Sequence, residues 1–239
     1  VALTASIAGD EIWVAQGTYL PTTTTTRTFT SVPQTLLSSG TEMWTMHGTA
    51  VGYGDEQIVS NGSVVLSNAR PAIPGAIHYT STRLLRNYLT HHSLLDWEAG
   101  NSSTFDLAGV LLPEAASTPV FDVTTHRVTW TAGAGPTPDA IQGYITASRP
   151  GKRIDWYVMA PYQGTATPFI TLPDLPQHLD SIEPIATDEV RPYLTAIKLP
   201  GGYDALRTRS LAGDFEDPRH YATTPTGRVT IAMYSPFEP

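Results

Sequence analysis

The 239-residue chain has no cysteine, only 15% charged residues and no long apolar run. The missing cysteines exclude disulfides, thiolate metal sites and thiol catalysis. No segment approaches the roughly 18 apolar residues of a membrane-spanning helix, so we predict no transmembrane segment. Lysine occurs only at Lys152 and Lys198, and the net charge is −8. Because nucleic-acid binding requires a clustered basic surface, we also predict no nucleic-acid partner.

Threonine, proline and glycine are abundant, and they predict the fold class. The chain contains 34 threonines, 20 prolines and 19 glycines. Threonine is β-branched and suits the pleated surface of a sheet, whereas proline and glycine divide a chain into short segments. Many short strands between frequent turns are typical of a sandwich or barrel. We therefore predict an all-β protein built from two β-sandwich domains.

Three local patterns in the first half carry specific structural predictions. Asn61-Gly62 lies between two apolar segments and predicts a tight hairpin over residues 57–66. The threonine run at 22–26 predicts an exposed strand or loop, because a uniform run does not specify which face turns inward. Apolar residues recur at helical spacing over residues 82–97, and there we predict one short helix. Two strands are the alternative for that segment.

A small, polar segment flanked by prolines, residues 113–119, is typical of a linker. We place a domain boundary there, which gives a β-rich domain over residues 1–113 and a second β-sandwich over residues 114–239. Alternation and turn residues predict seven strands in the second domain. They lie at residues 118–124, 127–131, 143–149, 154–160, 168–172, 190–199 and 228–234.

Four short motifs of the second domain follow the order and spacing of a known family. They are residues 128–130, 143–145, 171–175 and 193–197. The domain resembles a fibronectin type III, immunoglobulin-like β-sandwich, in which these motifs correspond to the second, third, fifth and sixth strands, with Trp130 as the core tryptophan. The resemblance implies adhesion, spacing or partner recognition rather than catalysis. Two connections are longer than the family pattern requires, at residues 175–190 and 206–227, and are either binding loops or elaborated turns.

We find no motif for catalysis or for a resident cofactor. The adjacent pair His91-His92 cannot chelate, since neighbouring side chains on a strand point to opposite faces. The remaining histidines lack the spacing of a zinc site. Neither a nucleophile elbow nor a phosphate-binding loop is present. We therefore predict that the protein is not an enzyme; a hydrolase whose carboxylates meet only in the folded chain is the alternative.

Two groups of residues are candidates for ligand binding. Loop carboxylates at short spacing are ligands that calcium prefers, and a solvated acidic loop is the favoured alternative for them. The acidic group consists of Asp214, Glu216 and Asp217. Exposed aromatic side chains stack on sugar rings or anchor protein partners, whereas packing at the ends of the sandwiches is the alternative. The aromatic group consists of Trp44, Trp97, Tyr162 and Tyr203.

These features together predict a non-enzymatic structural or adhesive β-sandwich protein. Its partner is expected to be another protein or a second copy of itself, joined through the edges of its sheets. A carbohydrate-binding, lectin-like module, assisted by calcium at the acidic group, is the alternative. A threonine-rich, lysine-poor chain that begins at Val1 fits a mature exported protein, so we expect it to be secreted or at the cell surface.

Overall fold

Strands dominate the structure, a computed structural model that describes residues 22–33, 38–47, 50–60, 65–71, 77–87, 90–96, 102–207 and 228–234. The predicted all-β class is therefore confirmed. The strands of the first half are β1 (Thr22–Thr30), β2 (Ser38–His47), β3 (Ala50–Ser60), β4 (Val65–Pro71), β5 (Ile77–Asn87), β6 (Thr90–Asp96) and β7 (Ser102–Asp106). Those of the second half are β8 (Val120–Asp122), β9 (Arg127–Thr129), β10 (Ala140–Arg149), β11 (Lys152–Pro161), β12 (Phe169–Thr171), β13 (Glu189–Lys198) and β14 (Arg228–Tyr234).

Helices are few and short in the described residues. They are α1 (Leu107–Val110), a 3-10 helix (Gln177–Ile182) and α2 (Gly202–Arg207). Within the described ranges, none has the length and apolar character that crossing a bilayer requires. The seven strands predicted for the second half correspond to β8 to β14, although several begin or end a few residues away from the predicted bounds.

One antiparallel sheet runs through the molecule, with two smaller sheets beside it. Its eight strands lie in the order β11-β10-β13-β14-β6-β5-β2-β3, and we refer to it as the long sheet. The first covering sheet has the order β4-β1-β7, and the second has the order β12-β9-β8. Among the strands of the described residues, every pair is antiparallel except β1 with β7.

Both covering sheets pack on the same face of the long sheet. Leu94 on β6 belongs to the apolar cluster that includes Phe29 of the first covering sheet. Ala232 on β14 belongs to the cluster that includes Val128 of the second covering sheet. Leu94 lies opposite Thr230 in the register of β6 with β14, two residues from Ala232. Since alternate residues of a strand share a face, both clusters lie on one side of the long sheet.

The cluster under the second covering sheet, the second core, is apolar throughout. It forms because β9, β10, β12 and β13 each place alternate apolar residues inward. Trp130 is only 6% exposed, which agrees with its expected core position. The buried members are Leu112, Val128, Trp130, Ile141, Ile145, Ile170, Leu172, Leu194, Ala196 and Ala232.

The cluster under the first covering sheet, the first core, is apolar at one end and polar at the other. Its apolar end contains Phe29 and Phe105, whose rings stack with centroids 5.6 Å apart, together with Leu66, Leu84, Leu94, Leu107 and Leu111. The polar end consists of the buried residues Thr25, Arg27, Ser39, Thr41, Asn68, Thr80 and Thr82. There, Arg27 Nη2 donates to Thr80 Oγ1 at 2.6 Å, and Asn68 Nδ2 donates to the carbonyl oxygen of Thr41 at 3.2 Å.

The opposite face of the long sheet is also covered in part. Helix α2 places Leu206 against apolar residues of β13 and β14, such as Ile197 and Ile231. Val229, on the same face of β14, is 1% exposed. Residues 196–197 of β13 and 229–232 of β14 are therefore buried on both faces, which is why polar and apolar residues do not alternate there.

The segment expected to be a linker is bound to the second half of the molecule. Ala115 forms a bridge with Ala132, the amide of Ala116 donates to the carbonyl of Thr131, and Gly133 donates to that of Glu114, both at 2.8 Å. The long sheet also crosses the expected boundary, because β6 pairs with β14. The division into residues 1–113 and 114–239 stays a prediction about independent folding.

The expected helix at residues 82–97 was wrong. The segment forms parts of β5 and β6, which are antiparallel neighbours with Leu84 opposite His92. Its apolar residues fit both a helical and a strand period, so the local pattern is ambiguous. Pairing with β2 on one side and β14 on the other supplies main-chain partners for two strands and decides between the alternatives.

The expected hairpin around Asn61-Gly62 was also wrong. Strands β3 and β4 flank these residues, but β3 pairs with β2 in the long sheet and β4 pairs with β1 in the first covering sheet. Residues 61–64 themselves lie outside the described residues. The chain therefore passes from one layer to the other, and a turn motif alone does not say which strand becomes the partner. The threonine run lies in β1, between β4 and β7, and Thr25 is fully buried.

Candidate functional site

Three tyrosines on neighbouring strands form a stack on the face of the long sheet opposite the covering sheets. Tyr144 on β10 lies directly opposite Tyr157 on β11 and Tyr193 on β13. Its ring centroid is 4.7 Å from that of Tyr157 and 5.5 Å from that of Tyr193. Tyr144 follows Gly143, which faces the second core, so the stack lies on the other side. We refer to these three residues as the tyrosine ladder.

The rings of the ladder stand upright and stack face to face. Their planes are inclined by only 23° and 29°, and their centroid distances match the spacing of adjacent strands. Rings that lay flat on the sheet would be much farther apart from centre to centre. Both faces of the central ring, Tyr144, are therefore covered by its neighbours. Tyr157 is the outermost member and is 71% exposed.

A polar network borders the ladder on the same face. Arg153 donates from Nη2 to the Tyr144 hydroxyl at 3.0 Å and from Nε to Asp155 Oδ1 at 3.1 Å. Thr146 also donates to Asp155 Oδ1, at 3.0 Å. Partial desolvation by itself raises the pKa of Asp155, but the hydrogen bonds from Arg153, Thr146 and Tyr144 outweigh it and lower that pKa. The carboxylate is therefore held charged beside the tyrosines.

The ladder ends at an open edge of the long sheet. Strand β11 is the terminal strand of that sheet, and in the part of the chain that the structure describes no strand pairs with its outer side. Its outer backbone groups are available to a further strand. The charged residues Lys152, Arg153 and Asp155 lie on β11 itself, a common protection against unwanted pairing.

A separate concavity, the end pocket, lies where the segment expected to be a linker meets the second core. Its empty volume is about 380 Å³, part of it open solvent. The aromatic residues Trp130, Tyr162 and Tyr234 line it together with Glu114. Burial raises the pKa of Tyr162. The other lining residues are Pro113, Ala115, Ala132, Pro138, Ile141, Leu194, Ala196, Ala232 and Met233.

The rim of the end pocket is closely packed. A Cβ atom at Gly133 would lie 2.9 Å from the carbonyl oxygen of Glu114, closer than real side chains come, so this contact requires glycine. The amide of Tyr162 donates to the carbonyl of Asp139 at 3.1 Å. Main-chain bonds thus fix both walls, and the pocket is preformed.

The structure disperses the residues that the sequence singled out for binding. Tyr162 lines the end pocket, whereas Tyr203 lies in α2 and packs on the opposite face of the long sheet. Trp44 lies in β2, far along the long sheet from β11. Trp97 and the acidic group Asp214, Glu216 and Asp217 are outside the described residues. In the described ranges, no three histidine or acidic side chains come together in a way that could hold a metal ion.

The tyrosine ladder was not predicted from the sequence, although part of its signal was present. Between the predicted strands 143–149 and 154–160, Pro150 and Gly151 are residues typical of a turn, and Gly151 adopts a φ of +73°, which favours glycine. A two-residue turn there places Arg149 opposite Lys152 and, by counting back, Tyr144 opposite Tyr157. The third member, Tyr193, is 49 residues from Tyr144 along the chain, so only the pairing of β10 with β13 brings it in. Compared with known proteins, the chain matches no protein-family model and no curated protein sequence.

Proposed function

We propose that the protein is a non-enzymatic structural or adhesive β-sandwich module that binds another protein strand at the edge of β11. The observation that carries the proposal is the tyrosine ladder, whose outermost ring, Tyr157, is exposed at an open sheet edge. A second copy of the chain is the first partner to test. The threonine-rich, lysine-poor composition supports an exported protein, secreted or at the cell surface. The resemblance of the second half to fibronectin type III-like domains favours the same role.

The geometry of the ladder supports a protein strand as its partner. A strand added to β11 gains main-chain hydrogen bonds along ten residues. An aromatic or long apolar side chain on that strand, placed opposite Tyr157, extends the stack by one ring. The neighbouring Arg153 and Asp155 then supply charges that select for register. Affinity comes from the backbone and specificity from the side chains.

The test is the mass of the particle in solution as a function of concentration, with a variant at the edge. Tyr157→Lys removes the outermost ring and adds a charge to the edge strand. We expect it to weaken association by about tenfold or more, as the loss of an aromatic anchor does. Light scattering coupled to size exclusion gives the mass, and negative-stain images show any ordered assembly.

The matched control is Val120→Lys, which makes the same change of charge at a 61% exposed apolar residue on β8 of the second covering sheet, where β8 pairs with β9 rather than with β11. We expect it to associate like the unchanged protein. A chain that stays monomeric at high concentration and captures no protein partner contradicts the proposal. Equal weakening by both substitutions also contradicts it, because a general effect of charge would then explain the result.

Carbohydrate binding is the second candidate, and the outer face of Tyr157 favours it. Among the described residues no aromatic ring stacks on that face, and Arg153 and Asp155 lie close enough to hydrogen-bond sugar hydroxyls. A glycan array probed with and without calcium tests this function. Binding that is lost in Tyr157→Lys and kept in Val120→Lys supports it, whereas a blank array in both conditions counts against it.

A further inference from the structure

The end pocket has a chemical character that the proposed function does not use. Three aromatic side chains line it, and Glu114 is the one lining residue with a charged side chain among those described. One carboxylate oxygen of Glu114, Oε1, is buried. The remaining lining is proline, alanine and other apolar residues. A negative charge surrounded by aromatic and aliphatic groups complements a cation that carries its own apolar groups.

We propose that the end pocket binds a small, soluble quaternary ammonium compound. Aromatic rings attract a cation through their negatively charged faces, and a nearby carboxylate adds direct charge complementarity. Trp130, Tyr162 and Tyr234 supply the rings, and Glu114 supplies the charge. This site is independent of the contact at β11, since it lies at the covered face of the long sheet rather than at its edge.

The lining distinguishes a quaternary cation from a primary ammonium group. An ammonium group of the lysine type carries three N–H donors, and each needs an acceptor when it leaves water. The side-chain acceptors of the lining are confined to Glu114 and the two tyrosine hydroxyls, and the aliphatic walls, such as Ala196 and Ala232, offer none to the remaining donors. A trimethylammonium group has no N–H donor and presents only methyl groups, so this lining suits it.

The preformed walls also favour a small occupant. The space of about 380 Å³ includes open solvent, so only part of it lies between the second core on one side and residues 113–115 on the other. Trp130 is 6% exposed and sits at the boundary between core and pocket. Only a compact head group can enter between these walls, and walls that main-chain hydrogen bonds already hold in place reduce the entropy cost of binding.

Calorimetric titration of the full chain with choline chloride tests the proposal. We expect saturable binding with a dissociation constant of about 1 mM or below, typical of a ligand of this size in a preformed site. The matched ligand is 3,3-dimethylbutan-1-ol, in which carbon replaces the charged nitrogen. It should bind at least about tenfold more weakly, because it keeps the shape and loses the cation attraction.

Variants separate the ring, the hydroxyl and the charge. Tyr162→Leu removes the ring and is expected to weaken choline binding about tenfold, whereas Tyr162→Phe keeps the ring and is expected to retain it. Glu114→Gln should weaken binding by a similar factor. Its control, Glu189→Gln, removes an exposed carboxylate that is ion-paired with Arg191 outside the pocket and should leave binding unchanged. Circular dichroism melts confirm that each variant is folded.

Four outcomes overturn the proposal. The first is an absence of saturable choline binding at about 50 mM, far above the expected constant. The second is equal binding of the neutral ligand, which makes the site a general apolar pocket. The third is unchanged choline binding in folded Tyr162→Leu. The fourth is binding to phosphatidylcholine vesicles without binding of free choline, which assigns the chemistry to a lipid surface instead.

Discussion

The two cores under the long sheet solve the same packing problem with different residues. The second core fills the space between its sheets with Trp130, Ile145, Leu194 and similar apolar side chains. The first core is apolar near Phe29 but buries Arg27, Asn68 and a group of threonines at its other end. The same face of one sheet is thus dry and apolar at one end and polar at the other.

The difference teaches where stability and where specificity come from. Burial of apolar surface contributes to stability roughly in proportion to the buried area and does not require a particular orientation of each group. Buried polar groups contribute little net stability, but they impose geometry, because each donor and acceptor needs a partner. The bond from Arg27 to Thr80 and the one from Asn68 to Thr41 join the two layers. We infer that they fix how the first covering sheet sits on the long sheet.

The largest effect is expected from truncating the second core. Trp130→Ala removes the largest buried ring of that core and should lower the free energy of unfolding by about 3–5 kcal/mol. Chemical denaturation monitored by circular dichroism measures it. Trp156 is only half-buried at the margin of the same core, so Trp156→Ala is the control and should cost clearly less.

The same experiment reports whether the two cores unfold together. Strands β6 and β14 are hydrogen-bonded neighbours, so we expect one cooperative transition that Trp130→Ala shifts as a whole. Calorimetry compares the measured enthalpy with the van't Hoff enthalpy. Two separate transitions, of which only one moves, would instead support independent folding of residues 1–113 and 114–239.

A smaller effect is expected in the first core. Arg27→Leu removes the hydrogen-bond donor to Thr80 and places an apolar side chain among buried polar groups. We expect it to lower the free energy of unfolding by about 1–3 kcal/mol. A double-mutant cycle with Thr80→Val isolates the pair. We expect a coupling free energy of at least about 0.5 kcal/mol between the two sites. Additive effects would show that the bond does not contribute.

Adding one methyl group to the second core tests how tightly it is packed. A Cβ atom at Gly143 would lie 3.0 Å from Ile170 Cδ1, the end of a flexible side chain. We therefore expect Gly143→Ala to cost about 1–2 kcal/mol, less than truncation of Trp130. Thermal unfolding measures it. If Gly143→Ala were instead more stable than the unchanged protein, the core would have space for the added methyl group, which would contradict the prediction.

The smallest effect concerns a turn outside both cores. Asp122 accepts from the Thr125 hydroxyl and the Thr124 amide, both at 2.8 Å, and these bonds lower the pKa of its carboxyl from the ordinary 3.8. A lowered folded-state pKa stabilises the protein above the unfolded value, and that gain disappears as the pH falls through the folded value. Asp122→Asn should therefore melt slightly earlier at neutral pH and no differently in acid. If Asp122→Asn still melted earlier than the unchanged protein in acid, the cause would be the asparagine amide rather than the loss of the carboxylate charge.

The strands of the second half were predicted better than those of the first half, and the reason is physical. In the second half, turns such as Pro150-Gly151 and alternation around Val128 and Trp130 mark each strand, so all seven strands were predicted. In the first half, threonine occupies both faces of β1, and a pattern without contrast carries no register. The apolar residues at 82–97 fit both a helical and a strand period. The expected hairpin at Asn61-Gly62 required the two flanking strands to pair with each other, and local residues do not determine strand partners.

The residues of the end pocket and of the tyrosine ladder were also hard to predict, because they come from distant parts of the chain. Tyr162 was predicted as a candidate aromatic residue for ligand binding, yet neither its neighbours in the end pocket nor the tyrosine ladder was predicted. Glu114 and Trp130 are 16 residues apart in the chain, and Tyr234 is more than a hundred beyond. They meet only because β9, β13 and β14 pack around the segment that was taken for a linker.

Composition and local pattern account for what depends on neighbours in the chain: the all-β class, most strand positions and the turns, since backbone preference and alternation act over a few residues. The tertiary structure decided which strands pair, that one sheet joins both halves, and which side chains share a surface. Those outcomes depend on contacts between residues far apart in the chain, whose energies come from packing and burial that no local window contains.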